Sequence, residues 1–291
     1  MAVTELGIAN RRSRAWDFFE LTKPRITFMV LLATVVGFYM GSEQGLRSFL
    51  LFHTILGTGL VAAGASAFNQ YLERDLDARM VRTRTRPIPD GRMSQGDARL
   101  FSAGISVAGI VYLAVFVNLL TAALGTITLG AYLLLYTPLK TRTTWCTLIG
   151  AFPGAAPPLM GWAAARGDLD TVGLLLFAIQ LLWQMPHFFA ISWMFTDDYA
   201  RAGFVVNSSG VSTGRQIILY CCALIPVSLL PVLFGATGRW YLVGAMVLGF
   251  VYLGYGFAVA LFRSTTHAQR LLKISVLYLP ALFILMVIDK A

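Results

Sequence analysis

The sequence predicts an all-α, polytopic membrane protein with about nine transmembrane helices. Of its 291 residues, 57% are apolar and only 13% are charged, and the apolar residues gather into long uninterrupted segments. A soluble domain has about 25% charged residues, and a helix needs about 20 apolar residues to cross the hydrocarbon layer of a bilayer. The composition therefore excludes a secreted domain, a nucleic-acid-binding protein and a cytosolic enzyme.

Nine apolar segments are the candidate spans, and they leave too few residues for a second, soluble domain. The predicted spans are residues 26–40, 49–68, 100–117, 119–136, 145–164, 171–195, 216–235, 240–262 and 274–288. With a cytoplasmic N-terminus, 19 of the 23 Lys and Arg residues lie in cytoplasmic segments. This strong positive-inside bias predicts that the N-terminus is inside and the C-terminus outside.

Residues 1–25 are too polar and too long to precede the apolar core of a cleavable signal peptide, so we expect the first span to be retained. This segment lacks the features of a transit peptide, which favours a bacterial inner membrane over an organellar one. Polar residues concentrate at 69–99 and 197–215, each after a long apolar segment and four spans apart. We therefore expect one domain, 1–291. It comprises a cytoplasmic segment 1–25, two four-helix halves, 26–138 and 145–262, and an extra helix, 274–288.

The first polar cluster carries oxygen-bearing side chains at helical spacing. Asn69, Glu73 and Asp77 are separated by four residues each, which places all three on one face of a helix. Two of them are negatively charged and repel each other unless a cation lies between them. Mg²⁺ prefers oxygen ligands and commonly uses one or two carboxylates together with substrate phosphates. The spacing predicts a metal site, although a charged loop that only sets topology remains the alternative.

Arginines follow the carboxylates directly, at positions 79, 82, 84 and 86. Guanidinium groups bind phosphate oxygens in a bidentate manner, so this row is typical of a clamp for a metal-bound diphosphate. Lys23, Arg25, Lys140 and Arg142 lie on the same side in this topology. Each taken singly is a topology or snorkelling residue, but together they could surround a departing diphosphate.

The sixth span ends in a second acidic pair. Asp197 and Asp198 diverge by about 100° on a helix, so only one of them needs to face a cavity; they either hold a second metal ion or belong to a solvated loop. His187 lies deeper in the same span and is either an interior histidine with satisfied hydrogen bonds, an acceptor-binding residue or a lone metal ligand. Three prolines in the fifth span predict a disturbed helix that shapes an apolar chamber: Pro153, Pro157 and Pro158.

These motifs resemble those of the UbiA intramembrane prenyltransferases. The similarity rests on NQYLERDLDARMVRTRTRPIPDGRM, which begins at Asn69, on YTPLK, which ends at Lys140, and on WQMPHFFAISWMFTDDYARAGF, which begins at Trp183. Four stretches are similar to the haem-modifying branch of the superfamily: the first and last of these three, together with LTKPRITFM and GAFPGAAPPLMGW. Two features depart from the pattern of other superfamily members: Glu73 stands where many of them have Asp, and the second acidic pair lacks the D-x-x-x-D spacing of quinone prenyltransferases.

The resemblance implies a helical fold around a central cavity that opens to lipid, with a cytoplasmic cap. It implies Mg²⁺-dependent farnesyl transfer from farnesyl diphosphate to a vinyl group of haem b, giving haem O. It also implies contact with membrane lipid and with a downstream haem-modifying membrane enzyme, and none with nucleic acid. The implied catalytic residues are Asn69, Glu73, Asp77 and Asp198; the metal ligands are these and Asp197. The diphosphate-binding residues are Lys23, Arg25, Arg82, Arg86 and Lys140; the acceptor-binding residues are Trp183 and His187.

Two other functions fit part of the pattern. A quinone-type prenyltransferase would use an aromatic acceptor such as 4-hydroxybenzoate; the WQMPH stretch argues against it by resemblance. A secondary transporter would have related halves and acidic residues within the membrane. Transporters place their charged residues near the bilayer midplane, whereas nearly all of these lie at one cytoplasmic rim. That placement favours a reaction at a substrate headgroup.

Overall fold

The computed structural model describes residues 13–43, 45, 47–206 and 210–291, and this part of the chain is almost entirely helical. The α-helices in chain order are α1 Arg14–Leu21, α2 Pro24–Gly41, α3 Ser48–Asp77, α4 Gln95–Phe116, α5 Leu119–Gly130, α6 Thr137–Leu139, α7 Cys146–Arg166, α8 Thr171–Met194, α9 Thr196–Ala202, α10 Val211–Leu233, α11 Arg239–Phe262 and α12 Thr265–Ile288. A π-helical turn, Ala131–Tyr136, joins α5 to α6.

Each of the nine predicted spans forms a helix, and eight helical segments in the described part of the chain are long and apolar enough to cross a membrane. The remaining predicted span, α7, is rich in Gly, Ala and Pro, and 14 of its 21 residues are buried. A helix surrounded by protein does not need long apolar side chains. The prediction of an all-helical, multi-pass membrane protein is confirmed.

Helix α7 lies in the middle of the bundle and packs against α2, α3, α5 and α8. Its contact with α2 requires glycine on both sides. A Cβ atom on Gly161 would overlap the backbone of Thr34, and one on Gly37 would overlap the backbone of Pro158. Only glycine permits such close backbone approach.

The prediction that prolines disturb the fifth span is wrong as to the backbone, because α7 is continuous from Cys146 to Arg166. Pro158 has no N–H, so the carbonyl of Gly154 loses its partner within the helix. Gln180 on α8 supplies the missing donor: its Nε2 donates to the Gly154 oxygen at 2.8 Å. Neighbouring helices thus compensate for the proline.

Several predicted boundaries also change. Helix α3 continues past residue 68 to Asp77 and so carries the whole carboxylate row, and α12 begins at Thr265 rather than at 274. Smaller shifts occur at α4 and α10, which begin at Gln95 and Val211 rather than at 100 and 216. The larger apolar core lies among α2, α7, α8, α10, α11 and α12. A smaller core joins α3, α4, α5 and α7. The internal repeat stays a prediction.

A cap covers one end of the bundle. It consists of α1 and the turns of residues 78–93. Arg92 links the two parts: it forms ion pairs with Asp17 and Glu20 of α1 and donates to the Thr85 carbonyl at 2.8 Å. These contacts fix the loop that follows the carboxylate row.

Candidate active site

The three predicted metal ligands of α3 lie under this cap on one helix face. Asn69, Glu73 and Asp77 are 2%, 4% and 0% exposed. All three line a cavity of about 220 Å³, which we call the polar chamber. The other charged residues of its wall are four cations: Lys23, Arg82, Arg86 and Lys140. The structure therefore brings together seven of the predicted site residues.

Each residue of the row is paired with a cation. Lys23 donates to the Asn69 side-chain oxygen at 3.2 Å. The Lys140 ammonium lies 2.5 Å from the Glu73 carboxylate. Arg86 donates to Asp77 Oδ2 at 2.6 Å.

One buried oxygen in the row is left over. Asp77 Oδ1 has no hydrogen-bond partner among the described residues. A buried carboxylate oxygen without a partner is costly, and a cation bound in the chamber would satisfy it.

The surroundings act on the two lysines in opposite directions. Burial, together with the nearby positive charges of Arg86 and Lys140, lowers the pKa of Lys23 to about 7. Burial also acts to lower the pKa of Lys140, but the Glu73 carboxylate outweighs it and the pKa is raised. Lys23 is held in the left-handed region, at φ 47°, directly before Pro24 begins α2. This conformation is uncommon for a residue with a side chain.

The two remaining predicted diphosphate-binding arginines differ in position. Arg82 lines the chamber, and its guanidinium lies 4.7 Å from the ring centroid of Phe195 and 5.7 Å from that of Tyr199. Arg25 is exposed and is absent from the described wall of the chamber.

The second acidic pair is divided between solvent and protein. Asp197 is exposed, whereas Asp198 is 6% exposed. Asp198 Oδ1 accepts a hydrogen bond from the Val81 backbone N–H at 3.0 Å and pairs with Arg201. Burial acts to raise the pKa of Asp198, but these hydrogen bonds lower it overall. Asp198 thus reaches the loop after Asp77, outside the described wall of the polar chamber.

The predicted acceptor residues lie together on another face of α8. The rings of Trp183 and His187 stack at 5.4 Å. Trp183 Nε1 donates to the Ser275 carbonyl at 2.8 Å, and His187 Nδ1 lies 2.7 Å from the Ser275 hydroxyl. Both contacts join α8 to α12, and neither residue belongs to the described wall of the polar chamber.

A second cavity continues from the first. It measures about 280 Å³ and has a mainly apolar wall formed by α2, α3, α5, α7, α8 and the π-helical turn; we call it the apolar chamber. Ile26, Tyr132, Tyr136 and Phe188 line both chambers. Pro153 and Pro157 are part of its wall, so the prediction that α7 shapes an apolar chamber is confirmed.

Sequence reasoning missed several parts of this site. Thr137 accepts a hydrogen bond from Asn69 at 3.3 Å and donates to the Tyr132 carbonyl. The Lys140 ammonium lies 4.4 Å from the Tyr136 ring centroid and 5.6 Å from that of Phe204. The YTPLK motif pointed to Tyr136, but no spacing rule indicated the π-helical turn that brings Tyr132 to the junction. Such turns are frequent at functional sites.

No preformed metal cluster exists among the described residues: no three His, Cys, Asp or Glu side chains lie together as a metal site requires. The chamber instead combines a few oxygen ligands with an excess of cations. Such an arrangement suits a metal ion that arrives with an anionic ligand supplying further oxygens.

Comparison with known proteins gives consistent results. Residues 30–279 match the model of the UbiA prenyltransferase family. The chain is 50% identical to a protoheme IX farnesyltransferase of Solibacter usitatus, over 94% of this chain and 98% of that one. It is 42% identical to a protein of the same name from Koribacter versatilis, over 100% and 97% of the two chains.

Solved structures share the fold at low identity. A solved structure reported for digeranylgeranylglyceryl phosphate synthase superposes on this chain with a TM-score of 0.80 at 15% identity, covering 94% of this chain and 98% of that one. A UbiA homologue from Archaeoglobus fulgidus, bound to GPP and Mg²⁺, gives 0.65 at 12% identity, covering 93% and 99%. On this evidence the chain belongs to the UbiA prenyltransferase family.

Proposed function

We propose that this prenyltransferase moves a farnesyl group from farnesyl diphosphate to a vinyl group of haem b, giving haem O and diphosphate. Two relatives carry the name protoheme IX farnesyltransferase, at 50% and 42% identity over nearly their whole lengths. The observation that carries the proposal is the continuity of a polar, cation-rich chamber with an apolar one through four shared residues. A prenyl diphosphate has the same division into an anionic head and an apolar tail.

The polar chamber would hold the diphosphate. Its wall contains four cations against two carboxylates, so it attracts an anion. Arg82 and Arg86 would bind phosphate oxygens in a bidentate manner, and Lys23 and Lys140 would act as point charges. Arg25 stays a predicted diphosphate ligand, although its exposed position places it nearer the rim.

The oxygen row would hold Mg²⁺. Asn69, Glu73 and Asp77 offer oxygens on one helix face, and Asp77 Oδ1 has no partner among the described residues. One or two protein carboxylates with substrate phosphates are the usual ligands of this ion. When bound, Mg²⁺ supplies Lewis-acid neutralisation of diphosphate charge. The second metal site at Asp197 and Asp198 stays a prediction, and we assign Asp198 a further role in positioning the loop that bears Arg82.

The reaction is a substitution at the first carbon of the farnesyl chain. Its C–O bond breaks and the electron pair leaves with diphosphate, where Lys23, Arg82, Arg86 and Lys140 stabilise the developing charge. The vinyl π electrons form the new C–C bond and leave a positive charge on the vinyl carbon next to the porphyrin. Water adds there and loses one proton to solvent, which completes the hydroxyl group of haem O. Tyr132, Tyr136 and Phe188 line the junction of the chambers, where their ring faces would shield the allylic cation.

We further propose a bacterial inner-membrane location, with the capped end in the cytoplasm. The distribution of basic residues, 19 of 23 in the segments predicted to be cytoplasmic, supports this orientation. Haem O would then pass to a downstream haem-modifying membrane enzyme. Trp183 and His187 stay predicted acceptor residues. Because both contact Ser275 of α12, they could also affect acceptor binding indirectly, through the packing of α8 against α12.

The test uses labelled farnesyl diphosphate, Mg²⁺ and membranes that contain the full-length protein. Haem b and 4-hydroxybenzoate are supplied in separate reactions, and products are separated by chromatography. We expect label in haem O only. Transfer to 4-hydroxybenzoate, without transfer to haem, would overturn the proposal in favour of a quinone-type enzyme. Arg47→Gln, an exposed change at the far end of the bundle, is the control and should leave the rate unchanged.

A further inference from the structure

A third cavity lies on the other side of α7 and α8 from the apolar chamber. It is a groove of about 610 Å³ between the second half of α8, the start of α7 and the first half of α10, and it runs from the middle of the bundle towards the capped end. We call it the α7–α8–α10 groove. The large side chains of its wall are Trp145, Leu182, Met185, Phe189, Leu219 and Tyr220. Trp145 and Leu219 are 67% exposed each, so the groove is open at the lipid-facing surface.

The groove adjoins the polar chamber. Thr147 belongs to the walls of both. On α8, Phe188 and Ile191 face the polar chamber, whereas Met185 and Phe189 face the groove. The groove and the polar chamber therefore share a wall at Thr147.

The shape and chemistry of the groove suit a broad, flat, apolar ligand. Its exposed wall is mainly apolar, and two of its aromatic side chains are accessible: Trp145 is 67% exposed and Tyr220 is partly exposed, whereas Phe189 is buried. Aromatic side chains offer large rigid surfaces against which a planar ring system packs favourably. The volume falls within the usual range for small-molecule sites, about 300–1,000 Å³.

Two arginines flank the groove at its capped end. Arg142 lies in the turn two residues before Thr144, a wall residue. Arg215 precedes Leu219 by one helical turn, so it projects from the same side of α10 as the wall residues Leu219 and Tyr220. Both arginines are exposed, and neither has an ion-pair partner among the described residues. An apolar groove that ends at two unpaired guanidinium groups suits an amphipathic dianion.

We infer that the α7–α8–α10 groove binds the porphyrin acceptor, with its apolar face against the aromatic wall and its two propionates near Arg142 and Arg215. This inference rests on the proposed function, since haem b is the only reactant there that is planar, apolar and doubly carboxylated. The vinyl groups lie on the edge of the ring opposite the propionates. Propionates held at the capped rim leave that edge inside the groove, next to the wall that Thr147 shares with the polar chamber. The Thr147 side chain must then move aside for the vinyl carbon to meet the first carbon of the farnesyl chain.

The first test fills the groove. Ala223 of α10 lies in its wall and is exposed, and Ala223→Trp places a bulky ring there. We expect KM for haem b to rise about tenfold or more while KM for farnesyl diphosphate is unchanged. A haem titration of the protein in detergent, followed by the Soret band, should show that the affinity for haem b falls by the same factor. Leu233→Trp, at the 79% exposed far end of α10, is the matched control.

The second test removes the charges. Arg142→Gln and Arg215→Gln should each weaken haem binding by about tenfold, since each removes a charge-assisted hydrogen bond to a propionate. Neither should alter the binding of haem dimethyl ester, which has no carboxylates. Wild-type haem affinity in all three groove variants overturns the inference, as does a change only in co-purified phospholipid. If the wild-type protein transfers farnesyl to haem b, such results leave the proposed function intact; failure of wild-type transfer refutes that function instead.

Discussion

Variants of the ion pair between Lys140 and Glu73 can distinguish the contribution of these residues to stability from their contribution to catalysis. The side chains are 12% and 5% exposed, and their charged atoms lie 2.5 Å apart. Lys140→Met removes the ammonium and keeps most of the side-chain volume. Glu73 then remains as a buried carboxylate without its partner.

The expected cost follows from this burial. Removal of one partner from a buried ion pair destabilises a protein by about 3–5 kcal/mol, because the remaining charge is uncompensated. The pair borders a cavity that admits water, so we expect the lower end, about 3 kcal/mol. Replacement of both partners by apolar groups of similar volume is often nearly neutral, so Glu73→Met with Lys140→Met should recover most of the lost stability.

Activity should behave differently. Lys140 contacts both the metal-ligand row and the proposed diphosphate position, and loss of one well-placed stabilising group costs about 10²–10³ in kcat. The double variant lacks two such groups, so its activity should stay at least as low as that of either single variant. Stability should therefore recover in the double variant while catalysis does not.

The assay combines thermal unfolding in detergent with haem O formation at saturating donor and Mg²⁺. Wild type, both single variants and the double variant form one thermodynamic cycle. The reasoning is refuted if Lys140→Met unfolds at the wild-type temperature, or if the double variant is no more stable than Lys140→Met. Near-wild-type activity in Lys140→Met would refute the assignment of this lysine to the diphosphate.

Three further predictions use other parts of the structure. Asp77→Asn should lower kcat by about 10²–10³ and raise the Mg²⁺ concentration for half-maximal activity; a titration showing wild-type behaviour would contradict its role as a ligand. Ala62→Phe, in the wall of the apolar chamber, should weaken binding of farnesyl diphosphate more than that of the shorter geranyl diphosphate. Competition assays measure both affinities, and an equal loss for the two donors would contradict the assignment of this chamber to the prenyl tail. Gly161→Ala should destabilise the protein by about 1–3 kcal/mol or more, because the new Cβ meets the backbone of α2. Gly104→Ala, where a Cβ meets nothing within 4 Å, should be neutral or stabilising by about 0.5–1 kcal/mol in the same thermal unfolding assay.

The carboxylate row was predictable because its information is local. Four-residue spacing fixes one helix face whatever surrounds it, and α3 continues to Asp77 as that spacing requires. The nine spans follow from apolar length in the same way. The YTPLK motif likewise identifies Lys140 as a site residue, and this prediction does not depend on its contact with Glu73.

Other features depend on contacts between distant segments, which no local pattern contains. Asp198 receives a hydrogen bond from the backbone of Val81, and a backbone donor leaves no trace in the sequence. The contact of His187 with Ser275 depends on which face of α8 meets α12. The continuity of α7 depends on Gln180 donating to the carbonyl that Pro158 leaves free. In each case the sequence names the residue, and packing decides its partner.

The pairing of the row with three cations has a consequence for how the site fills. Lys23, Lys140 and Arg86 are hydrogen-bonded to Asn69, Glu73 and Asp77 respectively. Asp77 Oδ1 is available to a metal ion, but the paired oxygens bind one fully only when the cations find other partners. Diphosphate oxygens are such partners, and a bare diphosphate would in turn lie beside two carboxylates that repel it. Binding of the metal ion therefore lowers the energetic cost of binding the donor, and the reverse. Thermodynamic linkage requires that each raises the affinity for the other by the same factor. A chamber organised in this way favours the metal–diphosphate complex over either component alone.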